Sequence, residues 1–297
     1  MNKYLKIFVF ILVLWALAYS ISFLIFDETP TLDKKVAIIP INGMITFDGG
    51  SSFFIEGVSG EKIAENIEIA NNDNSVKAIV LEINSPGGTV MGTKVVVDAI
   101  KEVDKPIVSV ITESGTSGAY WIASQTDAIF ADELSYVGSI GVIGSYLEFD
   151  GLLDDYNVTY RRLVTGDYKD IGSPYREMTS AEEALMMDRL DKVHEYFVEE
   201  VAEGRSMSVE EIEELSNGIF YLGMDCVDNG LIDYIGDKKD AIAYAQNLTG
   251  NYLSEVDYEE KESWFSNLEK FSMMSSYFVG QGIGSVLVQG DKLEINV

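Results

Sequence analysis

Residues 105–127, KPIVSVITESGTSGAYWIASQTD, decide the fold. The apolar, β-branched run PIVSVI gives way at Thr112 and Glu113 to two Ser-Gly pairs, and an alanine- and aromatic-rich stretch follows. The first half reads as a buried strand, the second as a small-residue helix, joined at a glycine-rich corner. Outward from this unit the rhythm repeats. KVAIIPINGMI from Lys35 reads as a buried strand, SGEKIAENIEIANND as an amphipathic helix and VKAIVLEINSPGG as a strand ending in a glycine turn. TVMGTKVVVDAIKEV is a helix, while AIFADE and SYVGSIGVIGSYLEF read as extended. Strand–helix alternation with short loops predicts an α/β domain whose largely parallel sheet is covered by helices. From TSAEEALMMDRLDKVHEYFVEEVAEGR the chain turns helical, with Thr179 or Ser180 as N-cap and a carboxylate three residues on in either case. SVEEIEELS and DKKDAIAYAQNL follow as helices, and no segment repeats another.

The ends differ from this middle. Lys3 and Lys6 precede twenty uncharged residues, Ile7 to Phe26, long enough to cross a hydrocarbon core as a helix. The apolar run continues past the small-residue site AYS at 18–20, which favours a retained anchor over a cleaved leader. The lysines then stay in the cytoplasm and the remainder lies outside. The expected organisation is an anchor over 1–30, a catalytic domain over 31–250 and a tail over 251–297 that packs or oligomerises.

With 49 Asp and Glu against 21 Lys and Arg, the net charge of −28 argues against nucleic acid and anionic headgroups as partners. One Cys and one His exclude a Cys/His zinc site, and Cys226 reads as a structural thiol. Sequons stand at Asn157 and Asn247.

A serine nucleophile at 114 or 117 needs a base: a histidine, a lysine or a terminal amine. His194 lies within the helical LDKVHEYFVEE, with no orienting turn around it. Lys169, in VTGDYKDIGSPYREMT, is the lysine candidate because its loop is flanked by glycines and closed by Ser-Pro. A lysine accepts a proton only when neutral, and its reference pKa is about 10.4, so apolar burial should lower it. Asp167 and Asp170 act against that. On an extended segment Asp170 would face away and Asp167 would share the side of Lys169.

TSGAYWIAS, VGSIGVI, INSPGG and GDYKDIGSPYREMT occur in the order and at the separations found in the signal peptide peptidase A family. Over roughly residues 35–245 the chain resembles those membrane-anchored Ser-Lys serine peptidases of ClpP/crotonase-like fold. The resemblance implies Ser117 as nucleophile, since the family serine precedes Gly-small-aromatic, here GAY. It implies Lys169 as general base, the amides of Gly87 and Gly88 as oxyanion hole, and Ser139 as the residue orienting the lysine. Ala119 departs from the glycine of many relatives and narrows the space beside the nucleophile. The implied activity is metal- and cofactor-free cleavage of remnant signal peptides or other apolar peptides, by a ring-shaped homo-oligomer sharing its dyads between neighbours. The alternatives are an NfeD-like membrane protease, a non-enzymatic membrane scaffold and a crotonase-type acyl-CoA enzyme. The lysine motif, the presence of both dyad residues and the outward location respectively argue against them.

Overall fold

The computed structural model describes residues 34–50 and 57–258, together with residues 3, 12–15 and 17. Its strands are β1 (Lys35–Asn42), β2 (Met44–Thr46), β3 (Gly57–Ser59), β4 (Val76–Ser85) and β5 (Ile107–Thr116), then β6 (Ala128–Ala131), β7 (Tyr136–Gly138), β8 (Phe220–Leu222), β9 (Tyr234–Ile235) and β10 (Ser254–Asp257). One sheet of eight strands runs in the order β10-β1-β4-β5-β6-β9, with β7 added to β5 and β8 to β7. Every pairing is parallel except β7 with β8. β2 and β3 form a separate parallel pair.

Helices cover both faces, as a parallel sheet requires. Along β1 the side chains alternate: Ala37, Ile39 and Ile41 enter the larger core, Val36 and Ile38 the smaller. The larger core is closed by α1 (Gly60–Asn72), α2 (Val90–Lys101), α3 (Gly118–Ser124) and α5 (Ser180–Arg205) through Ile67, Val96, Ile122 and Val201, among others. The smaller is closed by α8 (Lys238–Thr249), which follows the short α7 (Gly223–Cys226), through Ala241, Ile242 and Ala245. The start of α5 follows the predicted chemistry, and that of α6 (Val209–Leu215) repeats it. Thr179 and Glu182 form the capping box of α5, and Ser208 with Glu211 that of α6. A cap of this kind contributes about 1 kcal/mol.

Two stretches depart from the sequence reading. KVAIIPINGMI is broken at Gly43, whose φ of 80° ends β1 before β2 begins. SYVGSIGVIGSYLEF is a strand only at 136–138. The consecutive positive φ values of Gly138 and Ser139, 84° and 49°, turn the chain out of the ladder. Residues 139–149 then carry no regular element and lead to a short helix, α4 (Asp150–Asp155), that the pattern did not signal. Val137 and Ile140 are buried, but beyond them Ile143 is exposed by 92% and Leu147 by 72%.

The tail assigned to 251–297 begins by adding β10 to the edge of the sheet, beside β1. Residues 259–297 lie outside the described residues, as does most of the apolar run 7–26 on which the anchor was read. Among the described residues no helix is long and apolar enough to cross a membrane.

Candidate active site

Parallel strands bring their C-terminal ends to one edge, where ligands of open α/β sheets usually bind. β4 and β5 run side by side as far as Ser85 opposite Gly115. Their continuations, Pro86-Gly87-Gly88 and Ser117, therefore meet. β7 pairs with β5 up to Thr116 opposite Gly138, which places Ser139 on the other flank.

Ser117 is the single residue between β5 and α3, with φ 52° and ψ −126°. That conformation is suited to glycine and costs a side chain about 1–3 kcal/mol. It is held from both sides: Ser117 N–H donates to Gly138 O at 2.7 Å, and Ser117 O accepts from Trp121 N–H at 3.0 Å. Its hydroxyl has no hydrogen-bond partner among the described residues. Ser114, by contrast, pairs its hydroxyl with that of Thr116 at 3.2 Å.

The glycines here have no room for side chains. A Cβ on Gly88 would lie 1.8 Å from Ile45 O, one on Gly87 2.7 Å from Gly118 N, and one on Gly118 2.2 Å from Thr93 Oγ1. Gly87 N–H donates to Ser85 Oγ at 3.1 Å, so the amide expected at the oxyanion is already engaged. Gly88 N–H has no acceptor among the described residues, and neither has Gly118 N–H. Gly118 was not anticipated, although the first residue of any helix has an orphan amide. Its place directly after the serine was the available signal. Ser117 thus stands beside two unspent donors, of the kind that bind developing negative charge.

A cleft of about 850 Å³ opens over Ser117. Its walls are mostly apolar: Met44, Val90, Trp121, Val142, Ile143, Met187, Leu190 and Phe197 line it with Gly87, Gly88, Ser117 and Ser139. Thr93 also lines it, 1% exposed, and its hydroxyl is buried without a partner among the described residues. Ser139 Oγ donates to Gly218 O at 2.9 Å.

His194, read as an ordinary helix residue, also faces this cleft. Its Nε2 lies 3.1 Å from Ser216 O. A carbonyl only accepts, so Nε2 carries the proton of that contact and ties α5 to the loop after α6.

Lys169 does not line the cleft. It is exposed on a run of turns, with Lys169 N–H donating to Gly166 O, Ile171 N–H to Tyr168 O and Ser173 N–H to Asp170 O. The segment is not extended, so alternation does not sort its neighbours, and the described residues do not bury Lys169. The Asp170 carboxylate is instead taken by Arg162 at 2.6 Å and Arg176 at 3.1 Å, which hold it well below the usual carboxylate range.

Cys226 is buried, and that burial pushes its thiol up to about 12. Among the described residues no three His, Cys, Asp or Glu side chains are grouped to hold a metal ion.

Residues 99–251 match the family model described as peptidase family S49, and residues 54–128 the model for Clp protease. The helix-covered parallel sheet and the second match agree on an α/β fold of ClpP type. A protein of Enterococcus faecium named "Putative signal peptide peptidase SppA" is 34% identical over 219 residues, covering 72% of this chain and 64% of that one. A protein of Methanocaldococcus jannaschii, named as a putative protease, is 30% identical over 268 residues, 88% of this chain and 85% of that one. Protease 4 of Haemophilus influenzae is 28% identical over 252 residues, but the chain spans only 40% of its length.

Proposed function

The chain belongs to peptidase family S49, and we propose that it is a serine peptidase with Ser117 as nucleophile and Lys169 as general base. The observation that carries this reading is the strained Ser117, its hydroxyl unengaged, beside the free amides of Gly88 and Gly118. Strain of this kind persists where the surrounding structure enforces it, and a strand-to-helix corner presents the side chain to a cleft.

Neutral lysine takes the Ser117 proton as Oγ attacks the substrate carbonyl carbon. The carbonyl oxygen becomes an oxyanion facing Gly88 and Gly118, each such donor contributing roughly 3–4 kcal/mol. Collapse breaks the C–N bond, and the lysinium returns its proton to the leaving amine. Water then attacks the acyl-serine and gives a proton to the same lysine; collapse breaks the ester C–O bond, the lysinium returns that proton to Ser117 Oγ, and the acid is released. The apolar walls fit extended apolar peptides, remnant signal peptides among them.

The base comes from a neighbouring subunit in this reading. Lys169 stands exposed outside its own Ser117 cleft, and the segment leading to it exposes Ile143 and Leu163 by 92% and 97%. Apolar surface of that extent is usually covered by a partner. A ring of subunits would cover it, bury the lysine and keep folded proteins from the cleft. The uncharged run Ile7–Phe26 would anchor the assembly in the membrane with the domain outside.

The test is hydrolysis of a fluorogenic apolar peptide by Ser117→Ala, Lys169→Ala, Ser114→Ala and His194→Ala. The first two should be inactive and folded, and the last two active. Full activity in Ser117→Ala, or an inactive but folded His194→Ala, overturns the assignment.

A further inference from the structure

Residues 156–179 contain no helix or strand, yet the proposed base sits among them. Something other than a backbone ladder must hold Lys169 to the accuracy that proton transfer needs. The densest ionic cluster in the described residues lies on this segment, and the chemistry described so far leaves it unused.

Its centre is Arg176. The guanidinium donates through Nε to Asp170 Oδ2 at 3.1 Å and through Nη2 to Asp170 Oδ1 at 3.2 Å. Its other edge reaches Glu182, Nη1 to Oε2 at 2.9 Å and Nη2 to Oε1 at 2.5 Å. Glu182 is the capping-box residue of α5, 4% exposed, and its Oε2 also accepts the Thr179 N–H at 3.0 Å. Arg176 therefore links the lysine segment to the first turn of a 26-residue helix that lines the Ser117 cleft. Arg162 completes the enclosure. It forks onto both Asp170 carboxylate oxygens at 2.6 Å and donates to Asp167 O at 2.9 Å. The chain is thus gripped two residues before Lys169 and one residue after it.

We propose that Arg176, through Asp170 and Glu182, is a positioning residue for Lys169, holding the lysine-bearing turn in register with α5. The inference rests on the Ser-Lys reading given above. A bidentate guanidinium suits the task, because its planar fork fixes direction as well as distance, which an ammonium does not. The cluster also occupies the carboxylate nearest to Lys169 in sequence. Lys169 Nζ has no ion-pair or hydrogen-bond partner among the described residues, which leaves it available to a serine hydroxyl.

The experiment measures kcat and KM of the full-length protein in detergent on an apolar fluorogenic peptide. Arg176→Ala, Arg176→Lys, Glu182→Gln and Arg162→Ala are compared with Lys169→Ala, with melting curves for each. Arg176→Ala should lower kcat by about 100-fold, the effect of a misplacement of about 1 Å, with KM within about twofold of wild type. Arg176→Lys, keeping charge but not the fork, should recover only part of the loss. If Arg176→Ala does not fold, Glu182→Gln and Arg162→Ala each remove one arm and should show the same selective fall in kcat. Wild-type kcat in a folded Arg176→Ala, or a rise in KM alone, overturns the proposal while an inactive Lys169→Ala leaves the dyad standing. An active Lys169→Ala overturns the dyad, and this inference with it.

Discussion

Gly87 and Ser117 press against each other: a Cβ on Gly87 would stand 2.9 Å from Ser117 Cβ, and 2.7 and 2.8 Å from Gly118 N and Thr116 O. Gly87 also has a φ of 92°. Gly87→Ala should therefore strain its own turn by about 1–3 kcal/mol and displace the nucleophile together with the amide after it. The expected result is a fall in kcat of at least about 100-fold, with a folded protein of lower melting temperature. Wild-type rates of Ser117 labelling by a fluorophosphonate in Gly87→Ala would show that this contact does not set the site.

Ser117 itself opposes stability. Replacing it by Ala removes the hydroxyl but leaves a Cβ at φ 52°, whereas Gly adopts that backbone freely. Both variants should be inactive, but Ser117→Gly should be the more stable by about 1 kcal/mol, the strain released less the added entropy of glycine. For a domain of this size that raises the melting temperature by about 2–4 °C. Equal melting temperatures for the two variants would show that the conformation is not strained.

Acid should weaken the cluster around Arg176. The Glu182 carboxyl is held at about 2, first by Arg176 and then by the Thr179 amide, against an ordinary value of 4.5. A carboxylate depressed in the folded state adds stability that is fully present above its ordinary value. That contribution disappears as pH falls from about 4.5 through about 2. Wild type should therefore melt above Glu182→Gln at pH 7, and the two curves should converge toward pH 3. A constant gap across that range would mean that the ionised form of Glu182 is not what matters.

Cys226 is expected to be inert in the native protein, because burial holds its thiol up to about 12. A thiol-specific disulfide reagent at pH 8 should react with about one equivalent only after denaturant is added. Rapid native labelling would contradict its burial.

Much of this was legible in local pattern. β-branched runs alternating with capped amphipathic helices forced a parallel sheet, and Thr179 with Glu182 announced the start of α5 three residues apart. The serine corner was legible because only small residues fit where Gly87, Gly118 and Thr93 converge. What escaped depended on distant partners. Ser85 lies two residues before Gly87 in sequence, but nothing in INSPGG says that its hydroxyl takes the Gly87 amide. In the run 139–149 Ile140 is buried in the core, but Ile143, Tyr146, Leu147 and Phe149 are exposed, since among the described residues no strand pairs beside them. The surroundings of Lys169 were not legible for a related reason: turns and two arginines, not an extended backbone, surround the neighbouring Asp170 carboxylate.

The strongest test of the assembly follows from the separation of the two proposed dyad residues. Ser117 lines the cleft whereas Lys169 stands exposed outside it, on a segment whose apolar Ile143 and Leu163 are left uncovered by the described residues. If neighbouring subunits supply each other's base, a Ser117→Ala subunit retains a working lysine and a Lys169→Ala subunit a working serine. Each variant alone has no complete dyad. Mixed before assembly, they should form some interfaces that join an intact Ser117 to an intact Lys169. With random mixing at equal amounts, about one interface in four has that pairing, since each partner contributes its intact residue half the time. Recovered activity should then approach about a quarter of the wild-type rate per subunit, and mixing after assembly should give less. Mass spectrometry of the intact assemblies confirms that the subunits have mixed. No recovery in assemblies proven to be mixed would place both residues of the dyad in one chain.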